Sequence, residues 1–208
     1  MRELSRGIWL LQPQDYRRMP WKNGLGMTTE IAVFPVDAGL NGKPFDWRVS
    51  LAEIETSCEF SRFPGYDRSI LLSEGAGMEL DFDSAPPQRI EQRYQPFNFK
   101  GEWQTYCRLL NGPVRDFNVI SARAKLTHAC EVVKSLSSIN WQPNSGVLLI
   151  HCFAGGFVLE GANDRQIELD IRHTLLLAKR AGSLKNVLLK IAAISTDMVA
   201  VIVKISNL

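Results

Sequence analysis

The chain has 208 residues with 24 basic and 22 acidic side chains, a net charge of +2, and 45% of its residues are hydrophobic. This composition is typical of a globular protein with a substantial apolar core, and the near balance of charge argues against a nucleic-acid binder, which usually carries a basic stripe. No segment approaches the roughly 20 apolar residues of a membrane-spanning helix, so we expect no membrane association.

The start of the chain contains one short apolar run, Ile8 to Leu11. A secretory signal has an apolar region of about 7–15 residues, so we expect a cytoplasmic protein. The cysteines are widely spaced and include no CxxC pair: Cys58, Cys107, Cys130 and Cys152. In a reducing compartment this pattern predicts buried or half-buried thiols and neither disulfides nor a zinc site.

The segment from Trp21 to Glu30 is densely polar and contains Gly24 and Gly26. Glycines let the backbone turn tightly and bring its N–H groups near a ligand. Lys22 offers a positive charge, and Asn23 offers both a donor and an acceptor. The alternative is a glycine turn that leads into an edge strand and leaves Lys22 in solvent. The GxxxxGK[ST] pattern of a phosphate-binding loop is absent from the sequence.

Alternation of apolar and polar residues predicts β-strands over Thr28 to Phe34 and over Asp46 to Ala52. Residues two apart share a face of a strand, which groups four polar side chains in pairs: Thr28 with Glu30, and Arg48 with Ser50. If the second face lines a barrel, Arg48 needs a partner, and its guanidinium is suited to clamp a carboxylate. If that face is exposed, Arg48 is an ordinary surface residue.

The segment from Phe60 to Arg68 contains the Pro64-Gly65 pair, which favours a tight turn. Arg68 either pairs locally with Asp67 or reaches the interior, and Phe63 lies in the same motif.

Further strands are predicted from alternation or from enrichment in β-branched residues: Met78–Phe82, Val114–Ile120, Asn186–Ile194 and Met198–Ile205. Asp116 and Asn118 share one face of their strand and form a candidate polar wall. The segment from Ser84 to Pro96 contains three prolines and several charges, so we predict a long loop there.

A weak internal repeat links Ser69–Leu80 with Gly146–Leu159. Each segment has a short apolar strand, a glycine-bearing turn and a second strand. This pattern predicts two similar β-units, at residues 1–110 and 111–208, each an antiparallel sandwich or barrel of the jelly-roll or cupin type. A chance likeness between two hairpins is the alternative.

The three histidines, His128, His151 and His173, are far apart, and the sequence contains no HxH, HxxxH or HExxH motif. Metal-dependent cupins usually have two ligands at HxH spacing on one strand, so we predict no metal site and no cofactor. No GxSxG motif sets up a nucleophile.

Five segments, taken in order and spacing, resemble the HutD/Ves family: WKNGLGMTTEIAVFP, FDWRVSLAEI, CEFSRFPGYDR, PFNFKGEW and LLNGPVRDFNVI. The likeness covers about residues 20–120. It implies a cytoplasmic protein with a bicupin fold and no established enzymatic activity. HutD members are associated with bacterial histidine utilisation and are thought to bind N-formylglutamate, and Ves members are linked to cold and stress responses. This chain has Leu25 and Cys58 where family members often have glycine.

Three functions remain open from the sequence. The favoured one is a non-catalytic binder of a small acidic metabolite such as N-formylglutamate, with a pocket in the N-terminal barrel, a mainly structural C-terminal barrel and a possible homodimer. The second is a metal-independent enzyme with Glu30 or Asp116 as general base. The third is an interaction module without a ligand. The candidate ligand-binding residues are Lys22, Asn23, Thr28, Glu30, Arg48, Ser50, Phe63, Arg68, Asp116 and Asn118; no catalytic residue is assigned.

Overall fold

The computed structural model describes residues 2–5, 7–21, 24–38, 43–142, 146–162, 165–178 and 187–208. Within them the chain forms twenty β-strands and one short 3₁₀ turn, Pro13–Asp15. The predicted all-β bicupin class is confirmed. In this part of the chain, no helix has the length and apolar character needed to cross a membrane.

The chain divides into two compact units. The first unit comprises Tyr16–Thr127 with Leu208. Its strands are β3 (Arg17–Pro20), β4 (Gly26–Phe34), β5 (Trp47–Ile54), β6 (Cys58–Glu59), β7 (Tyr66–Glu74), β8 (Met78–Phe82), β9 (Gln88–Ile90), β10 (Phe97–Lys100), β11 (Thr105–Leu109) and β12 (Val114–Ala122). They form a long antiparallel sheet in the order β10-β7-β12-β5-β4-β3 and a short one in the order β6-β11-β8-β9.

The second unit comprises Met1–Asp15 and His128–Asn207. Its strands are β1 (Arg2–Ser5), β2 (Ile8–Leu11), β13 (Leu126–Val133), β14 (Ser137–Trp141), β15 (Val147–Ala154), β16 (Phe157–Ala162), β17 (Arg165–Leu169), β18 (Thr174–Ala178), β19 (Val187–Ala193) and β20 (Val199–Asn207). They form a long sheet in the order β1-β2-β18-β15-β20-β13 and a short one in the order β14-β19-β16-β17.

The two units repeat one topology. Strands β5 to β12 occupy the same places in the first unit as β13 to β20 in the second, because the long sheets share the order β10-β7-β12-β5 and β18-β15-β20-β13. The short sheets correspond in the same way, strand for strand. The hairpins of the internal repeat, β7–β8 and β15–β16, therefore lie at equivalent positions.

A β-bulge fixes the register of this correspondence. In the first unit, Asp116 of β12 lies opposite Leu72 of β7, and the pairing then skips Ser73. In the second unit, Ala200 of β20 lies opposite Cys152 of β15, and the pairing then skips one residue of β15. A bulge inserts one extra residue into one strand and is a defined structural feature. Residues of the two units can therefore be matched one to one along these strands.

The division between the units falls later than the predicted boundary at residues 110 and 111. Strand β12 returns to the middle of the first long sheet, between β7 and β5, so the first unit closes only after Ala122. The chain start also belongs elsewhere than predicted, since β2 pairs with β18 of the second unit. A boundary drawn from hairpin spacing misses both points, because the pairing of β12 and β2 is long-range.

Most of the predicted strands are present within one or two residues of their expected ends. The predicted loop from Ser84 to Pro96 is different, because Gln88–Ile90 forms β9 and pairs with β8. Ile90 is buried there against the apolar cluster of the first unit. Flanking prolines and charges hid this edge strand of three residues. Asn186, the first residue of another predicted strand, lies outside the described residues.

Candidate functional site

The inner face of the first unit's long sheet carries the candidate site. At one end this face is apolar, where Ile54, Ile70 and Leu72 pack against residues of the short sheet such as Leu80 and Cys107. At the other end the same face carries buried polar and charged side chains. Alternation along each strand places these residues on the side that faces the core. The polar end is therefore an interior surface of the first unit.

The two arginines of the inner face lie in one row of residues that are paired across neighbouring strands. Arg48 of β5 and Arg68 of β7 both lie opposite Ile120 of β12, which separates them by one strand. Strands are about 4.8 Å apart, so the two Cα atoms are on the order of 10 Å apart. Phe99 of β10 lies beside Arg68 in the same row. The side chains of Arg48 and Arg68 therefore lie in the same row on the inner face of the sheet.

Arg48 lies between two aromatic rings. Its guanidinium carbon is 5.0 Å from the centre of the Phe45 ring and 5.3 Å from that of Phe63. Its buried Nε has no hydrogen-bond partner within the described residues. Burial lowers the pKa of Arg48, and the charge of Glu30 opposes that effect. Cation–π contacts stabilise a guanidinium without neutralising its charge, so this cation stays available to an anion.

Within the described residues Arg68, unlike Arg48, is fixed by hydrogen bonds as well as by ring contacts. Its Nη2 donates to Oδ1 of Asn118 at 2.9 Å, and its Nη1 donates to the carbonyl oxygen of Ser61 at 3.4 Å. The rings of Phe60, Phe63 and Phe99 surround it at 5.4, 5.5 and 4.7 Å. Burial lowers the pKa of Arg68 to about 10, which leaves the side chain cationic at neutral pH.

Asp116 and Asn118 continue the hydrogen-bonded chain from Arg68. The Asn118 amide donates from Nδ2 to Oδ1 of Asp116 and accepts from Arg68, so both ends of the amide are fixed. Oδ2 of Asp116 is buried and has no hydrogen-bond partner among the described residues. Burial raises the pKa of Asp116 to about 7, with Arg68 acting in the opposite direction. Near pH 7 this carboxyl group exists in both its neutral and its charged form.

Glu30 and Ser50 complete the polar surface. Glu30 lies opposite Ser50, and Ser50 lies opposite Asn118, so the three form a second row across the sheet. The carboxylate of Glu30 is buried and pairs with Arg17 of the edge strand β3, with 2.9 Å between Oε1 and Nη2. Since Glu30 already has a cationic partner, it does not neutralise Arg48 by direct contact.

Hydrogen bonds and ion pairs fix the aromatic side of the site. The Tyr66 hydroxyl donates to the carbonyl oxygen of Phe45 at 2.7 Å, and the two rings are 4.9 Å apart. Arg123 then joins Asp67 to Glu102 through contacts of 2.8 Å. This guanidinium lowers the pKa of Glu102 to about 2. The turn that carries Phe63 is anchored by these contacts and by its own backbone bond to Gly101.

The structure brings together seven of the ten candidate residues on the inner face: Thr28, Glu30, Arg48, Ser50, Arg68, Asp116 and Asn118. Phe63 joins them through its contacts with both arginines. The Thr28 hydroxyl accepts a hydrogen bond from Nε1 of Trp21 at 2.8 Å. Lys22 and Asn23 lie outside the described residues. Of the two alternatives for Arg68, the side chain lies in the interior and does not pair with Asp67, which binds Arg123.

Sequence reasoning missed two parts of this cluster. The first is Arg17, which is not among the candidate residues and pairs with buried Glu30. The second is the aromatic ring set beyond Phe63, namely Phe45, Phe60 and Phe99. The motifs FDWR, CEFSRF and PFNF place an aromatic residue near each arginine or on a neighbouring strand. That proximity was the available signal.

The cysteines and His151 lie outside the polar cluster of the inner face. The cysteine thiols are not joined in disulfides; Cys58, Cys107 and Cys152 are buried and Cys130 is half-buried, as predicted. Nδ1 of His151 lies 2.8 Å from the Thr174 hydroxyl, and burial lowers the pKa of this histidine to about 3. Within the described residues no three His, Cys, Asp or Glu side chains are placed to share a metal ion.

Comparison with known proteins finds the HutD family profile, a relative from a hutC 3′ region and a relative named Ves. The profile of the HutD family matches residues 13–194. An uncharacterized 21.2 kDa protein in the hutC 3′ region of Pseudomonas putida is 48% identical over 115 residues, 55% of this chain and 58% of that relative. The match thus spans little more than half of that relative. Protein Ves of Citrobacter koseri is 33% identical over 82% of this chain and 89% of its own.

A solved structure also matches over nearly the whole chain. HutD from Pseudomonas fluorescens SBW25 (formate condition) superimposes with a TM-score of 0.80 at 30% identity. The match covers 97% of this chain and 99% of the other.

Proposed function

Because this chain belongs to the HutD family, we propose that it binds a small acidic metabolite inside its first unit and acts as a non-catalytic sensor. The observation that carries the proposal is the Arg48 guanidinium, held between Phe45 and Phe63 with no hydrogen-bonded carboxylate among the described residues. A buried charge is unfavourable unless it is paired, so such a site favours an anionic partner.

The charges of the cluster support an anionic ligand. Arg17 and Glu30 cancel each other as an ion pair. Arg48 and Arg68 contribute two positive charges, against at most one negative charge from Asp116. The described inner face therefore has a net charge of +1 or +2, depending on the protonation of Asp116. A guanidinium binds a carboxylate through two parallel N–H···O bonds, which adds geometric selectivity.

The neutral polar groups beside the arginines favour a ligand that also carries an amide or a carbonyl. Ser50 and Asn118 lie in adjacent positions of one row, next to the arginine row. N-formylglutamate, the intermediate suggested by the family resemblance, has two carboxylates and one formyl amide. We propose it as the ligand, in a regulatory role in histidine utilisation.

The test is ligand-induced stabilisation. N-formyl-L-glutamate, L-glutamate and urocanate are added to the purified protein, and the melting temperature and binding heat are measured. A ligand present at about 100 times its Kd stabilises the folded state by about 2.7 kcal/mol. We expect the shift with N-formyl-L-glutamate and expect Arg48→Ala to abolish it.

The matched control is Arg89→Ala. Arg89 is an arginine of the same unit, but its side chain is 58% exposed and pairs with surface glutamates. This variant should retain the full shift. If neither N-formyl-L-glutamate nor the other compounds stabilise the wild-type protein, the sensor proposal fails and the interaction module gains support.

A second candidate function is a metal-independent enzyme, and Asp116 is the observation that favours it. Burial brings the pKa of this carboxyl to about 7, the range suited to general acid–base catalysis. Glu30 is the weaker candidate base because it is paired with Arg17. Release of formate from N-formyl-L-glutamate by metal-free protein, lost in Asp116→Asn, would establish catalysis. Binding without turnover would exclude hydrolysis of this compound.

A further inference from the structure

Asp116 differs from Glu30, the other buried carboxylate on the described inner face, because Glu30 is paired with Arg17 and one oxygen of Asp116 has no partner among the described residues. Asp116 lies on the inner face two rows from Arg48, opposite Ala52 of β5 and Leu72 of β7. Its Oδ1 accepts from Asn118, and its Oδ2 is buried without a partner among the described residues. A proton added to this carboxyl group therefore has a defined place, namely Oδ2.

The ionisable groups around Asp116 are few. On β7 the neighbour is Arg68, which reaches it through Asn118. On β11 the neighbour is the Cys107 thiol, whose own partner is the Met78 sulfur of β8 at 3.7 Å. Ala52 is the opposite residue on β5, and the adjacent apolar cluster adds Cys58 as its other ionisable member. Burial raises the pKa of both thiols, so neither ionises near neutral pH.

The net charge of the site distinguishes ligands with one carboxylate from ligands with two. With Asp116 ionised, Arg48 and Arg68 leave one positive charge, which a ligand carrying one carboxylate neutralises. A ligand with two carboxylates would leave one excess negative charge in the interior. A second buried carboxylate strongly disfavours ionisation of the first, so a dianion is accommodated when Asp116 becomes neutral.

We infer that the site takes a dicarboxylate together with one proton, and that Asp116 is the residue that accepts this proton. The step is balanced: one proton leaves the buffer and forms an O–H bond on Oδ2 of Asp116, and no other bond changes. Asp116 is thereby a specificity-determining residue that relates ligand charge to pH. The inference rests on the proposed function, because it requires anion binding beside Arg48.

The sign of the pH dependence follows from the linkage. The free protein has an Asp116 pKa of about 7, and a bound dianion raises it. Dicarboxylate affinity is therefore greatest below pH 7 and decreases by about tenfold for each pH unit above it. Affinity for a monocarboxylate should change little over the same range.

The experiment compares two ligands of nearly identical shape, N-formyl-L-glutamate and N-formyl-L-glutamine, which differ by one carboxylate. Binding heats are measured at pH 8 in phosphate and in Tris, because the difference between buffers reports the number of protons taken up. We expect about 0.9 proton for the first ligand and none for the second. Asp116→Asn should bind N-formyl-L-glutamate without proton uptake, whereas Cys107→Ala should retain it.

The wild-type measurement alone decides the matter if Asp116→Asn does not fold. Binding of N-formyl-L-glutamate without proton uptake would overturn this inference and leave the proposed function standing. Equal uptake with both ligands would also overturn it, because the proton would then be unrelated to the second carboxylate. Binding of neither ligand at any pH from 6 to 9 would refute the proposed function itself.

Discussion

The two units have the same strand order, yet their interiors differ in chemistry at matched positions. Where the first unit has Arg68, Asn118 and Asp116, the second has Leu148, Ile202 and Ala200. The second set belongs to a large apolar cluster that also includes Phe157 and Leu189. The cupin topology thus tolerates either a charged or an apolar interior, and the side chains at a few inward positions decide which of the two a unit has.

The two interiors contribute differently to the stability of their units. Apolar burial contributes about 25 cal/mol per Å², so the second interior stabilises its unit in the ordinary way. Buried charges require compensating contacts, which the first unit supplies with aromatic rings and a hydrogen-bonded chain. The prediction that the second unit is mainly structural stays a prediction, and the substitutions below test it.

The largest effect is expected from Leu148→Arg, which places the first unit's charge at the matched position of the second. Leu148 lies in an apolar cluster, and the residue opposite it is the cation Lys204, which is already paired with Glu131. An unpaired buried charge costs several kcal/mol, enough to consume most of a domain's stability of about 5–15 kcal/mol. We expect unfolding or insolubility, measured by urea denaturation and solubility. Leu188→Arg, at a 55% exposed leucine, should change stability by less than about 0.5 kcal/mol.

An intermediate effect is expected from the reverse exchange, Arg68→Leu with Asn118→Ile and Asp116→Ala. Replacing a buried polar network by apolar residues is often neutral or stabilising by about 1–4 kcal/mol. We expect the triple variant to unfold at equal or higher urea concentration and to bind no acidic ligand. The single variant Arg68→Leu should be less stable than wild type at pH 8, because Asp116 then lacks its cation. Greater stability of the single variant at pH 8 would contradict this account.

The smallest effect is expected from Tyr66→Phe, which sharpens the role of the aromatic contacts around Arg48. The substitution removes one hydrogen bond to the Phe45 carbonyl oxygen and leaves the ring packing intact. The loss should be about 1 kcal/mol of stability. If Phe45 positions Arg48, the affinity for N-formyl-L-glutamate should also fall, by about three- to tenfold. An unchanged affinity would show that this hydrogen bond supports the fold alone.

Local patterns were sufficient for most strands. Alternation in Val114–Ile120 correctly placed Asp116 and Asn118 on one face, and the likeness between the β7–β8 and β15–β16 hairpins correctly indicated a duplicated fold. The edge strand β9 and the late closure of the first unit were missed. Strand β9 pairs with the nearby β8, but flanking prolines and charges hide its short pattern. The late closure depends on β12 pairing with β7 and β5, which are distant in sequence and leave no local pattern.

The sequence by itself determined the β class and the duplication, and it singled out Arg48, Arg68, Asp116 and Asn118 as candidate site residues. Period-two alternation, glycine turns and side-chain chemistry are local properties, so they can be read from the chain. Only the tertiary structure decided which arginine is already engaged and which is free. It showed that Arg68 bonds to Asn118, that Glu30 pairs with Arg17, and that Arg48 lies between two rings. Charge state and availability depend on burial and on partners, and strand pairing alone brings those partners together.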